Sequence, residues 1–285
     1  MNGYEQAQNK EDISLPHKTD SFQMWAEHLA LYAKSDAMEQ EREYWQHLEQ
    51  IPMTPLPKDN DQATSLMKDS QSIMVHWTAE ETEQLLKQAN RAYNTEVNDL
   101  LLTALGMAIH SWTGIASIQV SLEGHGRESI IEDMDITRTV GWFTSQYPVV
   151  LTLHEGKHVS QQIKSVKEGL RHIPQKGIGY GIHRYLSKRN EDRAFTDPEI
   201  SFNYLGKFDQ DLQNNDIKLS LYASGAETSP NAAMPFTLDM NGLISEGALS
   251  FEITYSEKEY QRETMEQLAA LLQASLREVL NHCVA

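Results

Sequence analysis

Between residues 73 and 173 the spacing of apolar side chains switches back and forth between a period of two and a period near 3.6. Only a domain that packs strands against helices satisfies both periods in one stretch. Ile73, Val75 and Trp77 alternate as a strand, and Thr78-Ala79-Glu80-Glu81 then has the spacing of a helix capping box. A second helix starts near Asn94. It carries Val97, Leu100, Leu101, Ala104, Leu105, Ala108 and Trp112 on one broad apolar face and stops at Gly114. That width predicts a core helix. Ile118, Val120 and Leu122 form a further strand, residues 148–153 another, and a helix follows over about 160–173. Beyond Ile200 the pattern is mostly β: strands are predicted over 200–205, 217–222, 236–240 and 249–255. A last helix turns Met265, Leu268, Leu272, Leu276 and Val279 inward. The fold class predicted is α/β (α+β), a mixed sheet packed with helices.

Upstream, Phe22, Trp25, Leu29, Tyr32 and Ala33, then Tyr44, Trp45 and Leu48, recur at helical spacing with an interruption near Ser35. Residues 51–70 carry three prolines and no periodicity. They are read as a linker between a helical segment, 1–50, and the main body, 71–285. The longest apolar run, Leu100 to Ile109, is about half of the roughly 20 residues a bilayer span requires. The first residues have no basic and apolar leader, so the expectation is a cytoplasmic protein without membrane contact. The single cysteine, Cys283, can form neither an internal disulfide nor a thiolate cage. With 41 acidic against 24 basic residues the net charge is −17, which repels phosphate backbones and argues against nucleic acid as a partner. Lys157, Lys164, Lys167, Arg171 and Lys176 form one local basic cluster, read either as an anion patch or as a solvated helix face.

Three segments invite a chemical reading. His154-Glu155-Gly156-Lys157-His158 fits the H-E-x-x-H pattern of zinc proteases, which works only when one helix places both histidines on the same face. A strand ends just before it and Gly156 lies inside it, so a surface turn without a metal is expected. Gly177-Ile178-Gly179-Tyr180-Gly181 would need a strand before it to cradle phosphate; a flexible, closely packed loop is expected instead. Glu123-Gly124-His125-Gly126-Arg127-Glu128 follows a strand and sets acid, imidazole and guanidinium between glycines. Partial desolvation of a strand-end carboxylate would suit it to general acid/base work, whereas the alternative is a charged strand-end turn.

In order and spacing, five blocks resemble the epimerization domains of nonribosomal peptide synthetases, within the condensation-domain superfamily. They are Asp99 to Gly106; Glu123 to Glu128; Arg138-Thr139-Val140-Gly141-Trp142-Phe143-Thr144-Ser145-Gln146-Tyr147-Pro148; Pro174 with Gly177 to Gly181; and Phe202-Asn203-Tyr204-Leu205-Gly206-Lys207-Phe208-Asp209. Together with Lys18 to Phe22 they span nearly the whole chain. The second and last blocks favour epimerization over condensation. The resemblance implies a lobe like those of chloramphenicol acetyltransferase, paired in the family with another lobe across a tunnel. That tunnel admits the phosphopantetheine arm of a peptidyl carrier protein, and no cofactor is bound to the domain itself. The arm carries an aminoacyl or peptidyl thioester whose α-carbon is interconverted between L and D.

The resemblance also implies roles. Glu123 is the acid/base on this lobe and Tyr204 lies near the site, where the alternative is a structural strand tyrosine. His125, Asn203 and Ser145 offer polar contacts, Trp142 and Phe143 shape the tunnel floor, and Gly124, Gly126 and Arg138 support the site. The family's other acid/base is the second histidine of an H-H-x-x-x-D-G motif. None of the 11 histidines here has Asp four residues on. The expectation is therefore a partial epimerization domain, its N-terminal lobe largely missing and inactive until such a lobe is supplied in trans. Arg138, the family partner of the motif's aspartate, would then be left solvated or buried at a cost. The competing reading is a binding module for carrier protein or other synthetase domains; a metalloenzyme built on His154 and His158 ranks last.

Overall fold

A computed structural model of the chain describes residues 2–61, 64–154, 156, 158–187, 197–207, 222, 225 and 228–284. The expected strand over 217–222 falls outside this set except for Tyr222. So do Phe208 and Asp209, Glu155 and Lys157.

The chain opens with α1 (Asn2–Gln8), which periodicity did not predict, then α2 (Phe22–Tyr32) and α3 (Asp36–Glu49). The break at Ser35 is a restart: its hydroxyl accepts from the Met38 N–H and caps α3, as Ser21 caps α2. Strand β1 (Ser70–His76) leads into α4 (Ala79–Gln84), capped by the reciprocal Thr78–Glu81 pair. A π-turn over Leu85–Ala89 continues into α5 (Asn90–Tyr93), which ends on Asn94 in the left-handed conformation. Asn94 thus stops one helix instead of starting the next. Asn tolerates that conformation because its short amide can bond locally.

The long α6 (Val97–Thr113) is buried almost all round from Asp99 to Ile109 and stops on left-handed Gly114. Then come β2 (Ser117–Gly124), β3 (Ser145–Thr152), α7 (Val159–Arg171), α8 (Ile178–Leu186), β4 (Ile200–Lys207), β5 (Leu238–Ser245), β6 (Ala248–Ser256) and α9 (Arg262–Val284). The strands form one mixed six-stranded sheet in the order β1-β6-β5-β4-β2-β3. The β2–β4 and β4–β5 pairs are parallel and the rest antiparallel.

Strand alternation gives this sheet two unlike faces. Val120, Leu122, Ile200, Phe202, Met240, Phe251 and Ile253 point into the main core, which α6, α7 and α9 cover. All five residues assigned to the inner face of the last helix are buried there. The other face carries Ser121, Glu123, Ser201, Asn203, Asp239 and Asn241, and among the described residues α8 packs on it at the β3 side. There Ile182 and Tyr180 of α8 join Trp45, Met38 and Val150 in a second core.

Residues 51–70 are not a free tether. Leu56 is buried and its N–H donates to Glu199 at 2.8 Å, Ser65 donates to Glu259, and Leu66 bridges Ala233. The basic cluster is likewise dispersed: Arg171 makes a two-pronged bond to buried Asp99, Lys167 caps the Tyr93 carbonyl, and Lys164 lies over the Tyr93 ring.

Residues 177–181 differ from expectation. Gly177 is left-handed, but Ile178 to Gly181 open α8 and are helical. Burial of Ile178, Tyr180 and Ile182 outweighs the poor helix propensity of the glycines. The expected close packing is there: a Cβ on Gly179 would lie 1.9 Å from the buried Glu41 carboxylate. That carboxylate accepts from the Tyr32 hydroxyl at 2.8 Å and ties α2, α3 and α8 together.

Candidate active site

The polar end of the sheet opens into a cleft of about 690 Å³ between β2, β3, α8 and α2. Glu123, the last residue but one of β2, projects into it. Its two oxygens accept separate amide hydrogen bonds: Gln146 Nε2 at 3.1 Å from β3, and Asn203 Nδ2 at 3.1 Å from β4. Sheet register causes this convergence, since Gln146 pairs directly with Glu123 across β2–β3 and Asn203 follows Phe202, the partner of Leu122. The carboxylate is exposed, contrary to the expected partial desolvation. Its orientation comes from the two amides, and each oxygen keeps lone-pair capacity for a proton.

Ser145 and Trp142 also line the cleft, Trp142 from its rim with 83% of its surface exposed. Phe143 lines the cleft as well, largely buried and packed with Trp25, Ile136 and Ile178. His125 turns away from Glu123. The Arg127 N–H donates to its Nδ1 at 3.0 Å, while its Nε2 lies 3.2 Å from Glu128. Tyr204 is separated from Glu123 by the sheet itself: one residue past Asn203, it faces the main core, and half-burial there raises its pKa. Gln146, present in the sequence only as one member of a block, is the residue the structure adds. Its register opposite Glu123 was the signal, visible only once β2 and β3 are paired.

Two glycines of this segment are closely packed, Gly126 against backbone and Gly124 against a side-chain tip. Gly126 has φ +66°, and a Cβ there would sit 1.6 Å from the Phe143 carbonyl oxygen. Gly124 faces Ser145, whose hydroxyl would lie 2.9 Å from an added Cβ. Arg127 fixes the loop between β2 and β3: its guanidinium donates to the carbonyls of Ile136 and Thr139 and stacks 3.9 Å above the Phe143 ring. The Lys18–Phe22 block docks on the same loop through paired Asp20–Asp135 bonds. Arg138 is exposed, as one branch of the expectation had it, and donates to the His17 carbonyl at 3.0 Å.

The zinc-protease pattern is not formed. The helix such a site needs begins at Val159, after both histidines, with His158 as its N-cap, and the backbone of His154 is bonded to the Gln162 amide. Among the described residues no group of three or more His, Cys, Asp or Glu is arranged to hold a metal ion.

A mixed sheet with two unlike faces and a strand-end glutamate in a cleft make this an α/β lobe with a site at its strand ends. The chain belongs to the condensation-domain family, whose profile matches residues 1–285. It is similar to the epimerization domain from the third module of tyrocidine synthetase B, with a TM-score of 0.89 and 42% identity, covering 99% of this chain and 64% of that one. It is 59% identical over 283 residues to a mycosubtilin synthase polypeptide of Bacillus subtilis, and 44% identical over 293 residues to gramicidin S synthase 1 of Brevibacillus brevis. Each match takes in 99% of this chain, but only 11% of the mycosubtilin polypeptide and 27% of the gramicidin S one.

Proposed function

We propose that this chain supplies the glutamate side of an epimerization site acting on aminoacyl or peptidyl thioesters held on the phosphopantetheine arm of a carrier protein. The observation that carries this reading is the pair of amides holding both oxygens of Glu123 at the cleft. Inverting a tetrahedral α-carbon requires a proton to leave one face and another to arrive on the opposite face. Glu123 takes the α-proton, leaving an enolate conjugated with the thioester carbonyl. A donor across the cleft then returns a proton to the other face. In the reverse direction Glu123 delivers the proton. No H-H-x-x-x-D-G motif is present among these 285 residues. We assign the opposing donor to a lobe carrying that motif, whether joined to this chain or supplied in trans. Gln146 and Asn203 orient the base, and Ser145 and Trp142 contact the thioester or its arm. Tyr204, on the far side of the sheet, supports the strand beneath the site. The setting is a cytoplasmic synthetase, with the carrier protein and neighbouring synthetase domains as partners.

The test is conversion of an L-aminoacyl carrier protein, read as D content and as α-deuterium uptake. The chain alone is expected to give none. Joined to a motif-bearing lobe it is expected to convert, and Glu123→Gln is expected to lower that rate by about 10²–10⁴-fold. Full activity of Glu123→Gln would refute the assignment; saturable carrier binding without turnover in the complemented domain would favour a binding module.

A further inference from the structure

The turn that leads into α8 carries three successive residues in the left-handed region: Gln175 (φ 44°), Lys176 (φ 51°) and Gly177 (φ 85°). Only the last is a glycine. Two adjacent left-handed L-residues persist only where their surroundings hold them, and such strain gathers at functional sites. The surroundings here are the strand end that bears Glu123. The Lys176 carbonyl faces Gly124, lying 3.7 Å from where a Cβ on that glycine would sit, and the Tyr147 ring is wedged between Gly124 and Gly177. One carboxylate ties the two segments together: Glu128 Oε2 is 3.2 Å from Lys176 Nζ and its Oε1 is 3.2 Å from His125 Nε2. The Arg127 N–H bond to His125 Nδ1 requires that nitrogen to be an acceptor, so the neutral ring carries its hydrogen on Nε2 and donates to Glu128. Glu128 is 14% exposed, enough enclosed to have a set direction, whereas Lys176 is 74% exposed.

We propose that Glu128 is a positioning residue for Glu123: it clamps the left-handed turn at 175–177 onto the loop at 124–128. The clamp fixes the spacing between the carboxylate on β2 and the start of α8, which forms the facing wall of the cleft. This rests on the epimerization reading for its kinetic consequence, but not for its structural one. A pair with one solvated partner adds little to stability. The clamp therefore acts on geometry and leaves the melting temperature nearly unchanged.

Lys176→Asn removes the ammonium while keeping a residue that tolerates the left-handed region, and Glu128→Gln removes the charge without changing shape. In the chain joined to a motif-bearing lobe, each is expected to lower kcat about 3–10-fold with KM unchanged, because misplacing a reacting group costs rate more than binding. The double variant should be no worse than the poorer single one. In the chain as it stands, both should speed amide exchange at residues 124–128 and 175–178 alike, and Gln175→Asn should do neither. Multiplicative losses in the double variant would overturn the clamp, as would unchanged kcat against an inactive Glu123→Gln control. If Glu123→Gln proves fully active, the epimerization reading fails by itself. Exchange then decides alone: faster exchange in both segments upholds the clamp, and exchange unchanged or confined to one segment rejects it.

Discussion

At Gly126 two constraints coincide. Its left-handed φ of +66° excludes an L side chain at low cost, and the Phe143 carbonyl oxygen occupies the space a Cβ would need. The obstacle is backbone, so it cannot move aside as a side-chain tip would. Gly126→Ala should destabilise the chain by about 2–4 kcal/mol, read as a lower urea midpoint with an unchanged slope. An unaltered midpoint would mean the loop between β2 and β3 is free to shift. The Glu123-to-Glu128 segment, ambiguous by spacing alone, resolves along the same lines. Glu123 faces the cleft, His125 and Glu128 are turned into a local pair, and Arg127 holds the loop. The charged cluster thus divides into a carboxylate at the cleft and a group of loop contacts, and alternation along β2 with the Gly126 turn separates them.

At the scale of elements, the segment expected to link two blocks is strapped to the sheet by charge. Asp69 is buried, lies 3.0 Å from Lys258 Nζ and accepts from the Leu66 N–H; its own carbonyl accepts from Glu257. The Lys258 ammonium, helped by that backbone bond, holds the Asp69 carboxyl below the usual carboxylate range. The sign follows from linkage. With the folded pKa depressed, the contribution is fully present above the unfolded value of about 3.9 and is lost as pH falls through the folded one. Protection factors at Leu66 and Glu257, referred to the intrinsic exchange rate at each pH, should therefore fall as the solution is taken below about pH 4. In Lys258→Met that acid-dependent step should shrink; a step of the same size would point to another carboxylate. Elements with strong period were legible from sequence: α6, α7, α9 and the cores of β2, β4 and β6 lie where the spacing put them, within a few residues. Those decided by burial or by a single left-handed residue were not. The glycine-rich start of α8 depends on contacts far away in sequence, and the stop at Asn94 on one left-handed residue.

Among the described residues of the whole molecule, the polar face of the sheet opens toward the cleft, with Trp142, 83% exposed, at its rim. A tryptophan exposed at a cleft rim is available to a partner surface. On the function proposed above, a lobe carrying the opposing proton donor covers it. Adding such a lobe should shift the tryptophan emission to shorter wavelength and raise the melting temperature with concentration, as binding to the folded state requires. Trp142→Lys should weaken both effects while leaving the unaccompanied chain folded. Equal responses from the two proteins would place the contact elsewhere.

The residues alone were enough to establish the alternation of strand and helix, the inward faces of the long helices, and a block order that resembles the epimerization branch. Each of these is a local period or motif, carried by neighbours in sequence. Only the tertiary structure brought Gln146 and Asn203 to the two oxygens of Glu123, turned Tyr204 to the other side of the sheet, and drew residues 175–177 against Gly124. Strand order and register set which distant residues meet, and neither is written in the period of any one strand, because pairing is chosen by burying the whole core at once.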